Sequence, residues 1–256
     1  MMIPNAEDNS ASNHSEGDRC EQGRDRLERI EEKIEQGLDT VRDLIKPKLR
    51  GWLHAGTFPL SVLLGAILVI LAPDEKTRVS SAIFAVTASL LFGVSALYHR
   101  GTWSPRARSV LQRMDHANIF LIIAGTYTPF SMLLLPPGPD RTLLWIVWAG
   151  ALLGIAFRVL WVGAPRWLYV PVYIALGWVA VAYLPHFWTG GGAAVFAFVF
   201  GGGLLYTIGA IVYGLRRPDP SPGWFGWHEV FHVFTVLAFL AHYVGVSLAV
   251  YSAGPG

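Results

Sequence analysis

Apolar and polar positions alternate along this chain in long blocks. Seven mostly apolar runs fall at 52–72, 79–99, 115–135, 142–162, 167–187, 193–214 and 227–251. Short polar or Pro/Gly-rich connections such as PDEKTR, PPGPDR, GAPR and RRPDPSPG separate them. Each run has about the 20 residues that a helix needs to cross a bilayer core. The pattern predicts an all-α integral membrane protein, a bundle of seven transmembrane helices whose termini lie on opposite sides. Before the first run the period changes. Leu27, Ile30, Ile34, Leu38, Val41 and Leu44 recur every three or four positions among Glu, Arg and Lys, the signature of an amphipathic helix. Such a helix would lie on the cytoplasmic face, against a partner helix, or free in solvent. Residues before about 18 are too polar to bury a core and are expected to be disordered. The chain therefore reads as a polar segment, 1–47, followed by a membrane domain, 48–256.

Charge sets the direction. One set of connections carries Arg42, Lys46, Lys48, Arg50, Arg100, Arg106, Arg108, Arg113, Arg166, Arg216 and Arg217, eleven in all; the opposite set carries only Lys76, Arg78 and Arg141. Lys and Arg accumulate on the cytoplasmic side, so the N-terminus is expected in the cytoplasm and the C-terminus outside.

Composition narrows the class further. Of 256 residues, 53% are hydrophobic and 15% charged, well below the roughly 25% charged of a soluble domain. The net charge of +2 comes with no clustered basic stripe, so a nucleic-acid partner is not expected. A single cysteine, Cys20, excludes an intrachain disulfide and a thiolate metal cluster. The first fifty residues hold no apolar run, and no cleavable secretory signal is expected there. Of 18 acidic residues, 12 lie at or before Asp43; only Asp74, Glu75, Asp115, Asp140, Asp219 and Glu229 follow.

Ionisable groups within spans are costly and by default functional. Ser95 and His99 stand four residues apart at the end of the second run, and His228 and His232 stand four apart at the start of the seventh. Each pair shares one helical face. The second run ends in the cytoplasm and the third and seventh start there, so His99, Asp115, His228 and His232 are expected at one depth. Three imidazoles with a carboxylate and a hydroxyl beside them fit a catalytic zinc site, where three protein ligands leave a fourth position for water. His99, His228 and His232 are the expected ligands, and Asp115 and Ser95 the expected partners of the water. His242 lies about 15 Å further along its helix, too far to share the ion, and an interhelical hydrogen bond is expected of it. His116 is either a partner behind the ligands or a headgroup contact, His186 an interfacial side chain. Arg158 is expected to reach the headgroups with its long side chain. Glu229 completes a His-Glu-x-x-His pattern, in which zinc proteases use the Glu as a base; the other reading is a carboxylate facing cytoplasmic water.

The stretches SALYHR (95–100), RMDHANIFLIIAGTYTPF (113–130) and HEVFHVFTVLAFLAHYVGVS (228–247) resemble the hemolysin III family, related to the adiponectin and progestin receptors and more remotely to alkaline ceramidases. The likeness covers about residues 45–252. It implies zinc ligation by His99, His228 and His232, with Asp115 and Ser95 holding the water. It also implies two functions: a zinc-dependent hydrolase of lipid amides or esters linked to membrane lipid homeostasis, or a pore-forming or receptor-like protein with structural zinc. Membrane lipids are the expected partners; neither the lipid nor the oligomeric state is legible.

Overall fold

The computed structural model describes residues 47–161 and 163–252, together with Arg26 and Ile30. The chain divides into Met1–Lys46 and Pro47–Gly256. The amphipathic helix and the disordered start therefore lie outside the described residues, apart from Arg26 and Ile30, which are helical and exposed.

The regular structure of the second unit is helical, and an isolated bridge between Ser221 and Phe225 is its one β-type pairing among the described residues. Its helices are α1 (Trp52–Ile70), α2 (Glu75–Arg100), α3 (Pro105–Leu134), α4 (Pro139–Leu160), α5 (Arg166–Gly177), α6 (Leu184–Leu215) and α7 (Trp227–Ser252), with a 3-10 segment, Trp178–Tyr183, between α5 and α6. Among the described residues six stretches are long and apolar enough to cross a membrane, with Arg166–Leu215 forming one continuous stretch of 50 residues. Drawn out straight, 50 residues would span about 75 Å, more than twice a bilayer core of about 30 Å. The stretch folds back instead. Tyr169 and Tyr213 bring their hydroxyls within 3.1 Å, and Trp178 Nε1 donates to Thr207 Oγ1 at 2.9 Å. Both pairs are centred near Gly192, whose φ of 71° and ψ of −179° belong to a region that glycine alone enters readily.

Helix starts follow capping chemistry rather than hydropathy. Asp74 accepts from Thr77 N at 2.8 Å while Thr77 Oγ1 accepts from Asp74 N at 3.2 Å, a reciprocal box that starts α2 four residues before its apolar run. Ser104 caps α3 and Pro105 occupies its first turn. Helix α3 thus begins ten residues before position 115. Asp115 sits in its third turn, not at its start, which corrects the expectation drawn from the apolar run alone.

The bundle is apolar outside. Trp145, Leu153, Leu160 and Trp167 are each more than 70% exposed, whereas Ser80, Ser81, Ser95, Asn118 and Thr128 are buried. Water would penalise such a surface, and lipid would not. Phe84, Phe92, Phe120 and Phe239, each at most 1% exposed, fill the centre between α2, α3 and α7.

Candidate metal centre

Helices α2, α3, α7 and α1 converge at the end where α1 and α7 begin. His99 and His228 bring their Nε2 atoms to 3.1 Å. The ring of His232 lies 4.4 Å from that of His228 and 5.4 Å from that of His99, centre to centre. One nitrogen from each ring falls within 4.8 Å of the others, so the three could hold a metal ion. Tetrahedral ligation at about 2.0–2.1 Å places ligand nitrogens about 3.3 Å apart. The closest pair already sits near that spacing. Asp115 Oδ2 is 3.8 Å from His99 Nε2, and Ser95 lines the same cavity as Asp115. The structure thus gathers all five residues that the sequence nominated.

Glu229 holds the start of α7. Fully buried, it accepts from Arg50 Nε at 2.5 Å and from Gly226 N at 2.8 Å. Asp219 accepts from Trp227 N at 3.0 Å, and the backbone NH groups of Lys48 and Leu49 donate to the carbonyls of Gly223 and Trp224. The carboxylate does not face cytoplasmic water, as expected from its place at the end of the span, because the turn before α1 folds over it and supplies Arg50. Both oxygens are engaged, which speaks against a protease base.

His54, which the sequence reading passed over, stacks on His232 at 3.7 Å between centres and 14° between planes, with Phe92 against its edge. It is 2% exposed, and neither ring nitrogen has a partner among the described residues. The signal was available: His54 lies at the start of the first apolar run, at the depth assigned to the other histidines.

Arg158 does not reach outward. It is 2% exposed, places its guanidinium 2.8 Å from His116 Nδ1 and lies over the Tyr169 ring at 4.2 Å. The interior offers an imidazole acceptor and an aromatic face, and these hold it in place of the headgroups. His116 is thereby turned inward, with Tyr213 Oη 3.5 Å from its Nε2 and the Tyr213 ring 6.1 Å from His228. His242 makes the interhelical bond expected of it, with Nε2 donating to Val199 O at 3.1 Å. Gly202 provides the room, since any Cβ there would run into the imidazole. His186 stands apart, beside Tyr183.

A cavity of about 130 Å³ starts at His54, Ser95, Asp115 and His232 and passes between Ile119, Ile123 and Ile174 to Thr126, Tyr206 and His242. A second cavity of about 60 Å³ shares Thr126, Trp178, Gly203 and His242 with it. The arrangement joins a polar, potentially metal-binding end to an apolar channel of lipid character.

Outward apolar surface, inward polar residues and a buried histidine cluster define a multi-pass helical membrane protein with a candidate metal centre. The sequence model of the family described as "Haemolysin-III related" matches residues 42–243, and the chain belongs to that family. Among its relatives, "Hemolysin-3 homolog" of Bacillus subtilis (strain 168) is 38% identical over 167 residues, 62% of this chain and 78% of that protein. "Hemolysin-3" of Bacillus cereus is 35% identical over 183 residues, 69% of this chain and 79% of that protein. "Adiponectin receptor protein" of Drosophila melanogaster is 42% identical over 50 residues, 18% of this chain and 11% of that protein.

Proposed function

We propose that the protein is a zinc-dependent hydrolase of lipid amide or ester bonds, with its centre near the cytoplasmic face of the membrane. The observation that carries this reading is the meeting of three buried histidines, Asp115 and Ser95 at one end of an apolar-walled cavity. His99, His228 and His232 would hold the ion. Zinc so held supplies Lewis-acid polarisation of a carbonyl and acidifies water to a pKa of about 7. Asp115 takes a proton as the water oxygen bonds to the carbonyl carbon. The same carboxyl returns that proton to the departing amine or alcohol as the C–N or C–O bond breaks. Ser95 fixes the orientation of Asp115, and His54, flat against His232, restrains that ring. Apolar walls receive the acyl chain and keep bulk water away.

In this reading Arg166–Leu215 makes two crossings joined at Gly192, giving seven spans, a cytoplasmic N-terminus and an outer C-terminus. The Tyr169–Tyr213 and Trp178–Thr207 contacts support the two crossings, and the eleven-to-three distribution of Lys and Arg supports the direction. The test of turnover is to incubate purified protein with mixed ceramides and glycerolipids and measure released fatty acid. Release by the wild type that His228→Ala abolishes is expected; equal release by both proteins would sink the reading.

The relatives' printed name, Hemolysin-3, favours a second reading, a cytolytic pore with structural zinc. A pore requires an unbroken polar path through the full depth, whereas the cavity here is also lined by Ile119, Ile122, Ile123 and Ile174. Dye release from liposomes that persists after chelation would favour the pore.

A further inference from the structure

Past its apolar middle the larger cavity becomes polar again. Thr126 Oγ1 on α3, Tyr206 Oη on α6 and His242 Nδ1 on α7 are all buried, all belong to residues lining the cavity, and none has a hydrogen-bond partner among the described residues. The rings of Tyr206 and His242 lie 5.6 Å apart. Unpaired buried polar groups are costly, and three lining one cavity mark a place for a ligand.

Their chemistry restricts that ligand. The Val199 carbonyl only accepts, so His242 Nε2 carries the proton of this bond, and the neutral ring leaves Nδ1 as a bare acceptor. Tyr206 and Thr126 can each donate. One hydroxyl group has the valence to serve all three, donating to Nδ1 and accepting from Tyr206 and Thr126. A ketone oxygen can accept from two of them but leaves Nδ1 unpaired, and a plain methylene serves none. Water has the same valence as a hydroxyl and can serve the cluster in the absence of a ligand, but Ile119, Ile123 and Ile174 line the same cavity and suit an apolar chain instead. A molecule with an apolar body and an internal hydroxyl suits the whole length.

We propose that Thr126, Tyr206 and His242 form a subsite for a hydroxyl carried part-way along the chain of a lipid. With the polar end of the lipid at Asp115, a placement that rests on the proposed function, the ten residue steps from His232 to His242 set the position. They amount to about 15 Å of helix, the reach of roughly a dozen extended chain carbons.

Native mass spectrometry of the whole protein in detergent tests this with octadecanoic acid, 12-hydroxyoctadecanoic acid and 12-oxooctadecanoic acid. The hydroxy acid is expected to bind about tenfold tighter than the plain acid, with the oxo acid between them. Tyr206→Phe and Thr126→Val remove unpaired hydroxyls at nearly constant shape. Each is expected to cut the hydroxy preference about threefold or more, with thermal stability unchanged or raised. Equal binding of the three acids by the wild type, a preference that survives both substitutions, or no binding of any acid would overturn the proposal. Equal binding together with metal-dependent release of fatty acid would remove the subsite and leave the hydrolase standing; a hydroxy preference without any such release would do the opposite.

Discussion

At the scale of single residues, buried charge is the feature with the largest energetic consequence. Glu229 is fully buried and Arg50 is its only cationic partner among the described residues. Removing one member of a buried pair strands the other and costs about 3–5 kcal/mol. Arg50→Ala is therefore expected to lower the thermal midpoint in detergent by many degrees, and Glu229→Gln, which keeps an acceptor for Gly226 N, by less; equal midpoints for wild type and Arg50→Ala would contradict the clamp. The sequence made Ser95, His99, Asp115, His228 and His232 legible because i to i+4 spacing and arginine-derived topology placed them at one depth independently. Arg158 and Glu229 were misread for a common reason. Hydropathy shows how near a residue stands to the end of a span, but not whether another segment waits inside to pair with it, as His116 does for one and Arg50 for the other.

Among the elements, capping and reversal decide what hydropathy leaves open. The half-buried Asp74 carboxyl is held below the usual carboxylate range chiefly by the hydrogen bond from the Thr77 backbone, against the cost of desolvation, with lesser help from the Thr77 side chain and from the backbone and charge of Lys76. A lowered folded-state pKa means that the cap stabilises α2 above the unfolded value and fades as pH falls through the folded one. Asp74→Asn is accordingly expected to flatten the acid dependence of the thermal midpoint below about pH 4; an unchanged slope would count against the cap. At Gly192 a side chain meets strain in a glycine-only region, and Gly192→Ala is expected to cost about 1–3 kcal/mol in thermal unfolding. An unchanged midpoint would mean that the reversal lies elsewhere. The apolar runs revealed that helices exist and roughly where, since bilayer length is a strong constraint. They misplaced the start of α3 by ten residues because Ser104 and Pro105 cap a polar helical extension that carries no hydropathic signal.

At the scale of the whole molecule, the described residues of the Pro47–Gly256 unit place apolar side chains outside while imidazoles, carboxylates and hydroxyls meet within. Family membership explains why three separated motifs are found together, and the turn at Arg50 with the helix ends at His99 and Trp227 explains how they meet. Protease or thiol-reagent access to engineered tags is expected only from the cytoplasmic side at the N-terminus and only from outside at the C-terminus; tags reached from the same side would contradict seven crossings. The metal centre is the claim on which the functional account depends. Its most direct test is elemental analysis of protein purified without added metal, wild type beside the triple substitution His99→Ala, His228→Ala, His232→Ala. The account predicts close to one zinc per wild-type chain and almost none in the folded triple variant, whereas a metal-free wild type, or equal zinc in both proteins, would contradict it.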